Sequence, residues 1–356
     1  MTPPTTMGPM LLRRSSTAVL GLLLLAPGLA ACGGEAGGIE VGDVVPAAND
    51  AQFAGQGVES VVALPVGRLE VTAGKPVTEI SAADTRDVTK VQAPEGSAFV
   101  PITWQYDAAT FGALAGYLST DTGPVVDLVA DGASYRIPAP ELTGEGSSSF
   151  YVLVSGNGAD PEMDVDFDGV TQRVDLSNGE VEEGRAAPLY DITKPRAKRF
   201  PCSPDVAFDR TTVRPPDFSC TVTRPLDLPY AGDAWAADGH TWRVVTVRTK
   251  LGRWTEVSDD LTSGAIYYAD TVRGSYRLGD TEAAHVIRNP ANTACPDVAD
   301  NGSCTTEFQV VFDVEGKPSR ALSIEQHFPL RLATVYGDAK AEDSLDVTVT
   351  TSARLK

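Results

Sequence analysis

Phe150-Tyr151-Val152-Leu153-Val154 (150–154) and Phe308-Gln309-Val310-Val311-Phe312-Asp313-Val314 (308–314) decide the fold. Both are short, led by an aromatic residue and rich in side chains that suit a pleated surface. In a helix the same branched side chains would crowd the preceding turn. Four further stretches share this character: Phe99 to Tyr106 (FVPITWQY), Val125 to Val129, Trp242 to Thr249 (WRVVTVRT) and Leu345 to Thr351 (LDVTVTT). Many alternate apolar with polar residues, the period of a strand with one hidden face. Gly, Pro, Asp and Asn punctuate them at short intervals. Only residues 108–118, with Phe111, Leu114, Ala115 and Leu118 at helical spacing, read as one short helix or a connecting loop.

The strand signals fall into two similar sets. Ser134-Tyr135-Arg136-Ile137 recurs as Ser275-Tyr276-Arg277-Leu278. Each is preceded by an aromatic-led strand, at Phe99 and at Trp242, and followed by another, at Phe150 and at Phe308. Three landmarks in one order suggest two copies of one β unit. The second copy carries an insertion holding Cys295 and Cys304. Short alternating strands, little helix and frequent turns favour sandwiches. The expectation is therefore an all-β chain with two tandem Ig-like β-sandwich domains, residues 49–186 and 201–356. A basic, proline-bearing linker joins them at residues 187–200.

The first residues read as a processing signal. Arg13 and Arg14 form a positive start, and Ala18 to Ala26 (AVLGLLLLA) is too short to span about 30 Å of hydrocarbon as a helix. Leu29-Ala30-Ala31-Cys32 follows. Small residues before a cysteine resemble the lipobox of bacterial lipoproteins. That resemblance implies removal of residues 1–31 and acylation of Cys32, whose acyl chains would anchor the protein to the extracytoplasmic face of the cell membrane. The glycine-rich residues 32–48 then read as a tether. Lipobox, tether and repeated strand pattern together resemble secreted actinobacterial lipoproteins with Ig-like domains of unknown function. The Cys…Trp…Cys core of antibody domains is missing, so the resemblance is architectural.

The formal charge is −19, and residues 1–31 carry two arginines and no acid, so their removal makes the chain more acidic still. An acidic surface argues against nucleic acid, whose phosphates need Lys and Arg, and against electrostatic docking on anionic lipid. Besides Cys32 there are four cysteines, an even number in an exported chain, so disulfides are expected. Three pairings exist. Nearest neighbours, Cys202 with Cys220 and Cys295 with Cys304, are preferred, the second closing a loop around Asp300-Asn301-Gly302.

Candidate chemistry is sparse. Asp164-Val165-Asp166-Phe167-Asp168-Gly169 has the oxygen spacing of a calcium loop, but nothing around it offers the helices that would hold one. Met163, Val165 and Phe167 alternate with the acids, which reads as a strand turning at Asp168-Gly169. His240, His285 and His327 are far apart, and no G-x-S-x-G, H-E-x-x-H or S-x-x-K motif is present. No catalytic residue, metal or cofactor is expected. Trp235 and Trp254 lie in apparent loops and are the candidates for stacking on a sugar, whereas Trp242 begins a strand. Lys194, Arg196, Lys198 and Arg199 form a basic run, read as a solvated linker or as a contact for wall polymers. The sequence thus points to a non-enzymatic envelope lipoprotein, with an envelope protein or a cell-wall glycan as partner.

Overall fold

The unbroken apolar run at 150–154 belongs to a strand buried on both faces. Phe150, Val152 and Val154 point into one core, and Tyr151 and Leu153 into a second, smaller one with Ala47, Phe53, Ile80 and Phe99. A strand solvated on one face would alternate; one covered on both does not need to. A computed structural model describes residues 38–356 apart from 112–113, 119, 121, 141–145 and 193–197. Cys32 and the signal segment lie outside the described residues, as do Lys194 and Arg196.

The chain is all-β, built from antiparallel sheets. The first orders its strands Val44–Pro46, Gly146–Ser155, Ser97–Asp107, Gly67–Ala73 and Glu59–Leu64. The second orders Val181–Glu182, Val170–Asp175, Glu162–Phe167, Val125–Ala130 and Ala133–Ile137. Between them lies a core with Val71, Ile102 and Trp104 from one sheet and Leu128, Val165 and Phe167 from the other. The third sheet runs Arg199–Pro201, Phe218–Thr223, His240–Leu251, Ser303–Glu315 and His285–Arg288. The fourth runs Ala207–Phe208, Ser344–Arg354, Ala321–Tyr336, Gly264–Ala269 and Trp254–Val257. Val245, Val247, Phe308, Phe312, Tyr267, Ile324 and Val347 fill the space between these two. The 108–118 region contributes one short helix, Ala115–Leu118.

The two halves of the chain match in part. Phe150 lies opposite Ile102, and Phe308 lies opposite Val247. By that register the counterpart of Phe99 is Val244, two residues past the landmark Trp242; a shift of two keeps the same sheet face. The tyrosine strands differ more. Tyr135 sits opposite Leu128 on an edge strand, whereas Tyr276 sits opposite Ile324 of the long Ala321–Tyr336 strand. Both hydroxyls are tied down, Tyr135 to Ser155 at 2.7 Å and Tyr276 by Gln326 at 3.1 Å. The residues around Cys295 and Cys304 form edge strands along Ser303–Glu315.

Residues 39–356 form one compact unit. The stretch expected to be tether is structured from Ile39, which packs on the smaller core, while the Gly42 amide donates to the Leu153 carbonyl at 2.7 Å. The core of the first two sheets also takes in Leu228, Tyr230, Val244 and Val311. All four are almost wholly hidden, and burial of each aliphatic one contributes about 1.5–3 kcal/mol. The third sheet therefore faces one core with Val245 and Val310 and the other with Val244 and Val311. Polar contacts stitch the same seam: Tyr117 Oη lies 2.6 Å from Thr246 Oγ1, and Trp235 Nε1 donates to the Phe167 carbonyl at 2.8 Å. The expected linker is partly folded in as well. Leu189 is buried, and Tyr190 donates to buried Gln172 at 2.6 Å while accepting from the Ala63 amide.

Candidate functional site

The Asp164–Asp168 motif is a β-hairpin. Glu162–Phe167 pairs with Val170–Asp175, and Asp168 and Gly169 make the turn with φ of 50° and 78°. Asp and Gly are the residues that adopt left-handed backbone most readily. The acids are engaged locally. Asp164 takes both ends of the Arg173 guanidinium at 2.7 and 3.0 Å, and Asp166 accepts from the Gly169 amide and the Thr171 hydroxyl. Asp127 stands directly opposite Asp164 and is clasped in the same way by Arg136. The row across the sheet runs Arg136, Asp127, Asp164 and Arg173, so that two facing aspartates are each neutralised by an arginine from the outer side.

The two tryptophans singled out as sugar platforms sit in strands, not loops, and both are packing residues. Trp254 opens Trp254–Val257, has no exposed surface and lies 5.9 Å from the Phe208 ring. A glycan needs a bare indole face, so Trp254 is removed as a ligand contact. Trp235 is half-buried, edge-on to Tyr230 at 5.2 Å, with its only donor committed to Phe167. The histidines stay apart. His240 Nδ1 meets Asp313 at 2.8 Å, and this hydrogen bond holds its pKa above the usual 6.5. His285 packs edge-on against Trp242, and His327 contacts Asp346 at 3.2 Å.

A concave site lies elsewhere, at the end of the third sheet where Phe218–Thr223 begins, His240–Leu251 ends and Ser303–Glu315 begins. It is an open cleft of about 450 Å³, within the range of small-molecule sites. Arg214, Lys250 and Arg253 supply cations, Asp217 and Asp300 acids, and Pro215, Pro216 and Phe218 apolar walls. Lys250 is paired with Asp300, whose carboxyl is held below its usual range by that contact and by the Ser303 hydroxyl. Arg253 reaches only the Asn301 side-chain oxygen, at 3.2 Å, and Arg214 has no carboxylate within 4.0 Å among the described residues. The cleft thus offers two guanidinium groups without a carboxylate partner among the described residues, beside apolar surface.

Both disulfides flank it. Cys202–Cys220 and Cys295–Cys304 are formed, with Cα atoms 5.3 and 4.2 Å apart. Cys220 follows the lining residue Ser219, and Cys304 follows the lining residue Ser303. The first crosslink ties the Phe218–Thr223 strand to the segment after Arg199–Pro201. The second closes the hairpin whose tip, Asp300 and Asn301, forms one rim. Over separations of 18 and 9 residues such bridges contribute about 3 and 2.5 kcal/mol by restricting the unfolded chain. They also hold the rim in place before any ligand arrives, which lowers the entropy that binding must overcome.

No family model matches this chain, and no curated protein matches its sequence.

Sequence reading found the cysteines that brace the cleft and missed its lining. Arg214-Pro215-Pro216-Asp217 carried a usable signal, two prolines between charges inside a disulfide loop. Arg253 carried none, because an arginine after a glycine is ordinary loop sequence.

Proposed function

We propose that this chain is a lipid-anchored protein of the extracytoplasmic face that works by binding another envelope component, with an envelope protein as the favoured partner. The observation that carries the reading is Leu29-Ala30-Ala31-Cys32 directly after the short apolar run Ala18 to Ala26. Two disulfides suit the oxidising side of a membrane. The cleft supplies a binding surface of the appropriate kind: rigid walls, free arginine donors and exposed proline. Arginines of this sort clasp carboxylates bidentately, so an acidic side chain of the partner is the expected anchor point.

Metabolic labelling with an alkyne fatty acid tests the anchoring. The wild-type chain takes up label and stays in the membrane fraction, whereas Cys32→Ala takes up none and is released. Label retained by Cys32→Ala would overturn the anchoring. For the cleft, crosslinking in cells to a partner is expected to fail in Arg214→Ala/Arg253→Ala while the protein remains folded and anchored. Unchanged crosslinking in that variant would remove the cleft as the contact.

A further inference from the structure

The second electrostatic feature of this acidic chain lies away from the cleft and shares none of its residues. Phe200, on the edge strand Arg199–Pro201, is half-buried against the core of the third and fourth sheets. Three cations gather around its ring: Lys198 Nζ at 5.5 Å from the centroid, Arg224 at 5.8 Å and Lys356 Nζ at 5.0 Å. They arrive from three different parts of the chain. Lys198 precedes the edge strand, Arg224 follows Phe218–Thr223, and Lys356 follows Leu355, whose amide donates to the Arg320 carbonyl at 2.9 Å.

Two acids near these residues along the chain or across the sheet are already taken. Asp227 is clasped by Arg243 through two 2.7 Å contacts, and Glu307 holds Arg199 at 2.7 Å. Among the described residues no side-chain carboxylate lies within 4.0 Å of the charged nitrogens of Lys198, Arg224 or Lys356. The ring explains why the cations converge, since each cation over an exposed aromatic face gains about 0.5–1 kcal/mol. It does not neutralise them, because a quadrupole attracts charge without cancelling it. Positive charge is therefore collected, with no side-chain carboxylate paired to it, in a chain of net −19.

We propose that Lys198, Arg224 and Lys356 form a docking site for one strand of a phosphate-bearing polyanion, with Phe200 fixing their spacing. A strand suits the site better than an anionic bilayer does. At physiological ionic strength charges are screened over about 8 Å, so a thin polymer feels the local cluster and little of the acidic remainder. A bilayer presents negative charge across a whole face of the protein and meets the acids as well. Several phosphates on one chain would also engage several cations at once, and release of their counterions drives such binding.

The experiment uses the full chain in detergent micelles and fluorescein-labelled inorganic polyphosphate, read by anisotropy. Binding is expected to weaken as salt rises, with a log–log slope of about −2 for three neutralised charges, roughly a 20-fold loss between 50 and 200 mM salt. Lys198→Ala/Arg224→Ala/Lys356→Ala should bind at least tenfold more weakly and lose most of the slope. The charge-keeping variant Lys198→Arg/Arg224→Lys/Lys356→Arg should bind like the wild type. Absence of binding by the wild type, equal binding by the triple alanine variant, or loss in the charge-keeping variant would each overturn the proposal. So would triple-variant-sensitive binding to phosphatidylglycerol vesicles with none to polyphosphate, which would assign the cluster to lipid. The cleft stays intact in these variants, so failure here leaves the partner-binding reading standing.

Discussion

Glu307 offers the sharpest test of how the chain is held together. Its side chain is 5% exposed, and three donors converge on its two oxygens: Arg199 at 2.7 Å, Asn289 at 2.9 Å and Asn292 at 2.8 Å. Glu307→Gln keeps the shape and removes the charge. One oxygen becomes an NH₂ group, so at least one of the three donors then faces another donor. Breaking a fully buried ion pair costs about 3–5 kcal/mol. The Arg199 side chain is 34% exposed, so water recovers part of that, leaving about 2–3 kcal/mol. For a body of this size that corresponds to roughly 3–4 °C in Tm. The difference should also depend on pH in one direction. Burial alone would raise the Glu307 pKa, but Asn292, Arg199 and Asn289 outweigh it and hold it below the ordinary carboxylate value. A depressed acid contributes stability above its unfolded pKa and loses it as pH falls through the folded one. Scanning calorimetry of both chains, at neutral pH and stepping down through the carboxylate range, should therefore show a gap that closes in acid. Equal Tm at neutral pH, or a gap that widens with acid, would refute the reasoning.

Trp254→Ala should cost about 3–5 kcal/mol in urea unfolding, the value for deleting a buried aromatic; in the intact protein acrylamide should quench Trp254 fluorescence far less than that of an exposed indole. Gly169→Ala should cost about 1–2 kcal/mol although nothing beyond its chain neighbours lies within 4 Å of the added methyl, because φ is +78°, and a neutral result would mean that the turn relaxes. His240 should titrate above 6.5 in NMR and fall back in Asp313→Asn; being raised, it contributes any stabilisation at low pH and loses it as pH rises through its folded pKa.

How much of this was legible in the sequence depended on whether the signal was local. Alternation in residues 163–167 placed Met163, Val165 and Phe167 in the core and their acidic neighbours outside it. The even cysteine count and short spacings led to the two bridges that formed. Trp254 was misread because a glycine and an arginine precede it, which looks like loop, while the partner that makes it a strand residue, Tyr267, lies beyond a turn. The cleft was illegible for the same reason. Arg214, Arg253 and Asp300 come from three separate segments, and only the pairing of Phe218 with Leu251 and of Leu251 with Cys304 brings them together. The double burial of the third sheet left a trace, Val310 beside Val311, but two adjacent valines do not say that each faces a different core.

That double burial governs what can be exchanged in evolution or in the laboratory. A chain severed near residue 190 would leave Tyr230, Val244 and Val311 bare on one fragment and the hydroxyl of Tyr117 without Thr246 on the other. Neither piece would be a tradable module, in the way beads on a string are. The heritable building block is the whole of residues 39–356, and recombination or truncation inside it should yield sticky fragments in place of smaller working proteins.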